Sequence, residues 1–144
     1  MIGSGREHEA IAEEVGRLLA VRGCTVVCGG GGGGEVMAAA ARGAKSAGGT
    51  TIGILPGECH DAASPWIDHV VVTGIGHARN LAVAASGQAV IAVGGSWGTL
   101  AEIGFARRLG RPVIALAGGW EIPGVELAQT PLEAVERVLA LLPA

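Results

Sequence analysis

Aromatic residues are scarce in this sequence: three tryptophans, one phenylalanine and no tyrosine among 144 residues. That supply is too thin for the ring platforms on which single-stranded nucleic acid is stacked. Basic residues are scarce too. Lysine and arginine number 10 against 13 acidic residues, for a formal net charge of −3, and no basic run occurs. This balance argues against a nucleic-acid partner tracked by its phosphates, while leaving room for a small basic pocket. Lysine occurs once, at Lys45, late in a helical segment, which excludes a GxxxxGK[ST] nucleotide loop. Cys24, Cys28 and Cys59 form no CxxC pair, and two of them lie in or beside an apolar strand, so they read as core thiols of a reducing compartment. No secretory leader is read, because the chain runs quickly into the charged "REHEAIAEE". Residues 80–101 carry no charge, but Ser86–Gln88 and Gly94–Gly98 interrupt them with glycine and polar residues. Strand and loop are expected there rather than a membrane span. The expectation is a cytoplasmic protein with no membrane partner.

Glycine and apolar residues are abundant. Glycine accounts for 26 residues and the hydrophobic set for 49%. The glycines have no collagen period; they cluster between apolar runs, as in loops close to a ligand or tightly packed. "REHEAIAEEVGRLLAVRG" places Ala10, Ile11, Val15, Leu18 and Leu19 on one helical face. "CTVVC", "TTIGILP", "DHVVVTG", "QAVIAVGG" and "RPVIALAGG" read as strands. "EVMAAAARGAKSAGG", "IGHARNLAVAASG", "WGTLAEIGFARRLG" and "TPLEAVERVLALL" read as helices, the last with Thr130 as N-cap and Pro131 at its first position. Alternating strands and helices imply right-handed βαβ units. The expected fold is α/β: a three-layer, Rossmann-like, doubly wound and mostly parallel sheet with helices on both faces. Residues 1–144 are expected to form a single nucleotide-binding domain. Only Met1 and Ile2 precede the first glycine turn, so the first strand reads as truncated.

In such sheets ligands sit beyond the carboxyl ends of the strands. Three glycine-bearing strand-to-helix turns fall on that edge: Gly3, Ser4 and Gly5; the run Gly29–Gly34, with Gly30, Gly31, Gly32 and Gly33 at its centre; and Gly94, Gly95, Ser96, Trp97, Gly98 and Thr99. Each lets backbone N–H groups approach an anion at a helix N-terminus, although a glycine run is equally a flexible or tightly packed loop. No acidic residue ends the second strand to hold a ribose, which disfavours a plain NAD site. Thr99 lies at the start of its helix, where its hydroxyl caps the helix or binds a phosphate oxygen. Glu102 follows at capping-box spacing. On spacing alone, a carboxylate that ties down the helix start and one that faces a ligand weigh equally. "GECHD" offers Cys59, His60 and Asp61, but adjacent side chains seldom converge on one ion and no second cluster completes a set, so no metal is expected. His77 is a candidate pocket-lining residue; His8 and His69 read as incidental.

At "VGGSWGTLAEI" together with "TGIGHARN" the chain resembles the Rossmann-like superfamily of LOG proteins, once labelled "possible lysine decarboxylase". That superfamily takes in the LONELY GUY phosphoribohydrolases, the molybdenum-cofactor carrier proteins and, more distantly, the core of Smf/DprA. The order of a glycine run, "RGAKSAGGTTIGILPG", "TGIGHARN" and GGxxGTLxEI is closest to the carrier-like bacterial branch and covers nearly the whole chain. The decarboxylase label fails, because a pyridoxal enzyme needs a Schiff-base lysine and Lys45 lies away from the glycine edge. The resemblance implies a small phosphorylated nucleotide-like ligand, either a nucleotide or a molybdopterin-type cofactor carried as cargo, with no cofactor required. It assigns the grip to Gly94, Gly95, Ser96, Trp97, Gly98 and Thr99, backed by Gly3, Ser4, Gly30–Gly33, Arg79 and Asn80. Trp97 either stacks on a base or pterin or serves as a packing or dimer contact. The alternative it carries is a nucleoside 5′-monophosphate phosphoribohydrolase, with Glu102 and Arg79 catalytic. Val93 and Asn80 depart from the hydrolase pattern toward the carrier-like one. Self-association as a dimer or tetramer is also implied.

Overall fold

The computed structural model describes residues 1–32 and 35–144. Its strands are β1 (Ile2–Ser4), β2 (Val26–Cys28), β3 (Thr51–Leu55), β4 (His69–Val72), β5 (Val90–Gly94), β6 (Val113–Leu116) and β7 (Glu126–Ala128). Its helices are α1 (Glu9–Val21), α2 (Glu35–Ser46), α3 (Arg79–Ser86), α4 (Trp97–Arg108) and α5 (Pro131–Ala140). All named strand pairs are parallel, in two ladders ordered β1-β5-β6-β7 and β2-β3-β4. The ladders meet where the Met1 amino group donates to the Val27 carbonyl, 2.9 Å away. The chain therefore winds outward through β2, β3 and β4, then crosses back over β1 to enter β5. Strand order reverses at β1, and such a switch point opens a crevice at the carboxyl ends of the flanking strands.

The period-two alternation of the central strands sorts the core into two halves. Ile91, Val93, Ile114 and Leu116 face one way and pack with Ala12 and Val15 of α1, Val36 and Ala40 of α2, and Val135 and Val138 of α5. Val90, Ala92 and Val113 face the other way and meet Val83 and Ala84 of α3 and Ile103 and Ala106 of α4. Helices thus cover both faces, as the expected three-layer, Rossmann-like fold requires. All five residues of β5 are buried, which gives the turn that follows it a rigid base.

Three details differ from the sequence reading. In α1 Val15 is buried and Ile11, Leu18 and Leu19 pack half-buried against the core as expected, but Ala10 is exposed and the fully buried residues are Ala12, Val15 and Gly16. The helix turns its smallest residues inward because it lies against α2 almost backbone to backbone. A Cβ on Gly16 would strike the Ala40 carbonyl, and one on Gly43 the Glu13 carbonyl. Strand β7 was not anticipated; it is a three-residue edge with Glu126 and Leu127 exposed. Among the thiols, Cys28 is buried, Cys24 half-buried and Cys59 exposed, so only Cys28 is a core thiol.

The cap of α5 is as expected: Thr130 accepts from the Glu133 N–H and Pro131 occupies the first turn. Lys45 pairs with Asp68 at 2.8 Å, at the amino end of β3 and so on the rim opposite the glycine turns. No helix among the described residues is long and apolar enough to cross a membrane.

Candidate anion-binding site

β1 and β5 run in register, with Ser4 beside Gly94, so the first and third glycine turns leave the sheet side by side. Gly94 is buried at φ +64°, and a Cβ there would collide with the Ser4 carbonyl and the His8 imidazole. Only glycine turns the chain this sharply at so crowded a point. Gly95, Ser96, Trp97 and Gly98 then emerge at the surface, and the chain enters α4.

The start of α4 removes the capping-box reading of Thr99 and Glu102. Ser96, not Thr99, is the N-cap residue; its backbone is extended and its side chain caps nothing. Thr99 stands at the third helical position and Glu102 at the sixth, a full turn beyond reach of the helix start. The first helical bond is Leu100 N–H to the Ser96 carbonyl, at 3.0 Å. Ahead of it, the N–H groups of Trp97, Gly98 and Thr99 find no backbone acceptor among the described residues. The orphan donors that every helix start leaves behind are thus uncapped, at the positive end of the helix dipole.

Thr99 and Glu102 point inward from α4 and are 3% and 7% exposed. Among the described residues the one buried side-chain polar atom without a partner is Arg111 Nε, so neither the Thr99 hydroxyl nor the Glu102 carboxyl is a sealed, unsatisfied group. Burial pushes the Glu102 carboxyl up to about 7, against the opposing pull of the Met1 amino group and Arg79. Near neutrality Glu102 is therefore half protonated, able to donate a hydrogen bond as well as accept one.

Arg79, at the first position of α3, is tied down. Its Nη1 donates to the carbonyls of Gly29 (2.7 Å) and Ile54 (3.0 Å), and its Nε to Asn80 Oδ1 (3.1 Å). It straps the carboxyl ends of β2 and β3 to α3. The Asn80 amide nitrogen lies 3.8 Å from where a Gly98 Cβ would be, which brings the α3 and α4 starts together.

The second glycine turn is used differently from the first and third. Gly30 accepts from the Ser64 N–H (2.8 Å), and the Gly32 N–H is spent on the Ala62 carbonyl (3.1 Å). These bonds form an antiparallel bridge between Gly31 and Ala63. A Cβ on Gly30 would come within 2.6 Å of Gly53 Cα, so that glycine serves the packing of β2 on β3. Of the donors expected from this run, Gly32 is therefore not available and Gly30 is structural; Gly31 stays open, with nothing near it. Gly33 lies outside the described residues. The Gly3–Gly5 turn also differs from expectation, since it opens onto a single 3-10 turn, Arg6–His8, ahead of α1.

The sequence reading missed two residues of this rim. His8, four-fifths buried, packs on Gly94, and Trp120, from the β6–β7 connection, lies against Gly95. Both arrive through tertiary contacts from segments without a motif. His77 is exposed in the turn before α3. No group of three or more His, Cys, Asp or Glu among the described residues is placed to hold a metal ion. A cavity of about 490 Å3 at the opposite ends of the strands, beneath Met1, Val26 and Val90, contains none of the predicted site residues.

Residues 1–140 match the SLOG cluster4 family. An uncharacterised protein of Archaeoglobus fulgidus is 41% identical over 138 residues, 94% of this chain and 89% of that protein. The solved structure of the molybdenum cofactor binding protein from the phototrophic bacterium Rippkaea orientalis superposes with a TM-score of 0.90 at 31% identity, covering 97% of this chain and 93% of that one. The molybdenum cofactor carrier protein of Chlamydomonas reinhardtii gives 0.85 at 32% identity, covering 96% and 97%. DNA processing protein A of Streptococcus pneumoniae gives 0.72 at 22% identity, covering 99% of this chain and 62% of that one, a likeness of fold alone.

Proposed function

This chain belongs to the SLOG cluster4 family, and from that premise we propose that it is a carrier that binds a small phosphorylated ligand of the nucleotide or molybdopterin type at the start of α4. One observation carries the reading: the N–H groups of Trp97, Gly98 and Thr99 have no backbone acceptor among the described residues, at a helix start whose N-cap side chain makes no bond. A phosphate oxygen satisfies all of them, and the helix dipole favours its charge. The likeness to molybdenum cofactor binding and carrier proteins supports the choice of ligand class.

In this reading Gly94, Gly95, Ser96 and Gly98 give the phosphate room to approach the backbone. Gly3 and Ser4 flank it across β1, and Asn80 adds an amide from α3. Arg79 acts as a positioning residue that holds Gly29 and the β3 end in place. For a molybdenum-bearing cargo the grip falls on its phosphate, because no cluster of metal-ligating side chains is found among the described residues. The protein is further proposed to work in the cytoplasm as a dimer or tetramer. The test is mass spectrometry of the ligand released when the purified protein is denatured. A phosphorylated pterin or nucleotide is expected at near-stoichiometric yield, and failure of the protein both to carry and to take up any phosphate ester would end the reading.

A second reading is favoured by Glu102, a carboxyl held near 7 close to that phosphate, which is the range of a general acid or base at neutral pH. It makes the protein a nucleoside 5′-monophosphate phosphoribohydrolase. Incubation with AMP separates the two: adenine release abolished in Glu102→Gln establishes the hydrolase, whereas binding without release leaves the carrier.

A further inference from the structure

We infer that Trp97 and Trp120 together form a ring-binding subsite on this rim, which selects a planar heteroaromatic bicycle (a pterin or a purine) joined to the phosphate. The inference rests on the reading of the α4 start as the phosphate site.

Composition gives the first argument. The chain has four aromatic residues in all, and two of them meet beside the uncapped helix start. Their ring centroids are 5.6 Å apart and the planes are inclined by 53°. This is the geometry of two rings packed on each other, too close to admit a third ring between them, so a ligand ring would lie on the outward face of Trp97 with Trp120 backing it. Trp97 is 78% exposed, an apolar ring left in water at the first position of α4.

The backbone is bent to bring the second ring there. Ala117, at the end of β6, is the one non-glycine residue with positive φ among those described, at +57°. A strained conformation held by a non-glycine residue at a ligand rim points to a requirement beyond folding. It turns Gly118 back until a Cβ there would lie 3.2 Å from the Gly94 carbonyl, and it lays Trp120 across Gly95. A side chain at position 95 would come within 2.6 Å of Trp120 Nε1. Gly95 thus admits the indole beside the phosphate turn, and the tryptophan pair stands next to the anion donors.

Calorimetric titration with two phosphate esters tests this: neopterin monophosphate, which carries the ring, and glycerol 3-phosphate, which does not. The wild type should bind neopterin monophosphate at least about tenfold more tightly. Trp97→Ala, at an exposed position, should weaken that ligand about ten- to hundredfold while changing glycerol 3-phosphate by less than about twofold. Trp120→Leu should act in the same selective way. Equal weakening of both ligands, no change for either, or no preference in the wild type overturns the ring subsite and leaves the phosphate site standing. If the wild type binds neither ester, the phosphate reading itself falls and the ring subsite with it. An unchanged oligomeric mass for Trp97→Ala is expected, and dissociation of the assembly without loss of ring selectivity would reassign Trp97 to a subunit contact.

Discussion

The seam between α1 and α2 and the start of α4 both depend on glycine, for opposite reasons. At the seam, Gly16 and Gly43 let two helices touch through their backbones, and an added methyl group would strike a carbonyl oxygen on the neighbouring helix. At the start of α4, an added methyl group on Gly98 would meet nothing nearer than 3.8 Å. Nothing in the protein itself requires a glycine there, and glycine in a helix costs about 0.5–1 kcal/mol relative to alanine. The seam's glycines serve the fold; the turn's glycine, under the proposed function, leaves room for a ligand.

The largest effect should come from filling the seam. Gly43→Ala should destabilise the protein by about 3 kcal/mol, because overpacking against backbone cannot be relieved by a rotamer change. Thermal unfolding should show a Tm lower by roughly 6–12 °C, and Gly16→Ala should behave alike. An unchanged Tm in both variants would erase the contrast.

The next effect concerns charge under the turn. The carboxyl of Glu102 lies higher in the folded protein, at about 7, than the ordinary value of 4.5. The native state therefore keeps a proton that the unfolded chain releases, and this contribution to stability is full below about pH 4.5 and is lost as pH rises through about 7. Glu102→Gln should flatten the fall, leaving the variant on the order of 2 kcal/mol more stable than wild type at pH 8 relative to its position at pH 5. Urea unfolding at the two pH values measures it. In the same window phosphate-ester binding should weaken as pH rises, since an ionised Glu102 repels the anion.

Breaking the Arg79 strap is expected to do less. Arg79→Lys loses the paired bonds to Gly29 and Ile54, for about 1–2 kcal/mol of stability, read by denaturant midpoint. The smallest stability effect sharpens the comparison most. Gly98→Ala should unfold within about 1 kcal/mol of wild type, on the stable side, yet bind phosphate esters about tenfold more weakly. A Gly98→Ala protein with intact binding would remove the ligand explanation for that glycine.

Much of this was legible in the sequence where periodicity and local chemistry act alone. Continuous apolar strands such as Val90–Val93, the Thr130–Pro131 helix start and the exclusion of Lys45 all follow from neighbours along the chain. The glycine turns were visible as turns, but not their division of labour. Whether Gly32 offers its N–H or spends it on Ala62 depends on a segment thirty residues away. The helix was read from Trp97, where α4 begins, but the capping role offered to Thr99 and Glu102 was wrong, because the two fit a capping box as well as they fit the inward face of a helix that begins at Trp97. Trp120 and His8 carry no motif, and only the sheet's switch point brings them to the rim. Strand β7 escaped notice because a three-residue edge strand with two exposed residues leaves hardly any hydrophobic pattern.

The central claim is that the uncapped start of α4 binds a phosphate. Titration of 15N-labelled protein with glycerol 3-phosphate, followed by amide NMR, tests it most directly. The account predicts saturable shifts concentrated on the amides of Gly95, Trp97, Gly98 and Thr99, and attenuated in Gly98→Ala. Absence of shifts at those amides, or shifts of equal size at the start of α5, where Thr130 already caps the helix, would contradict it.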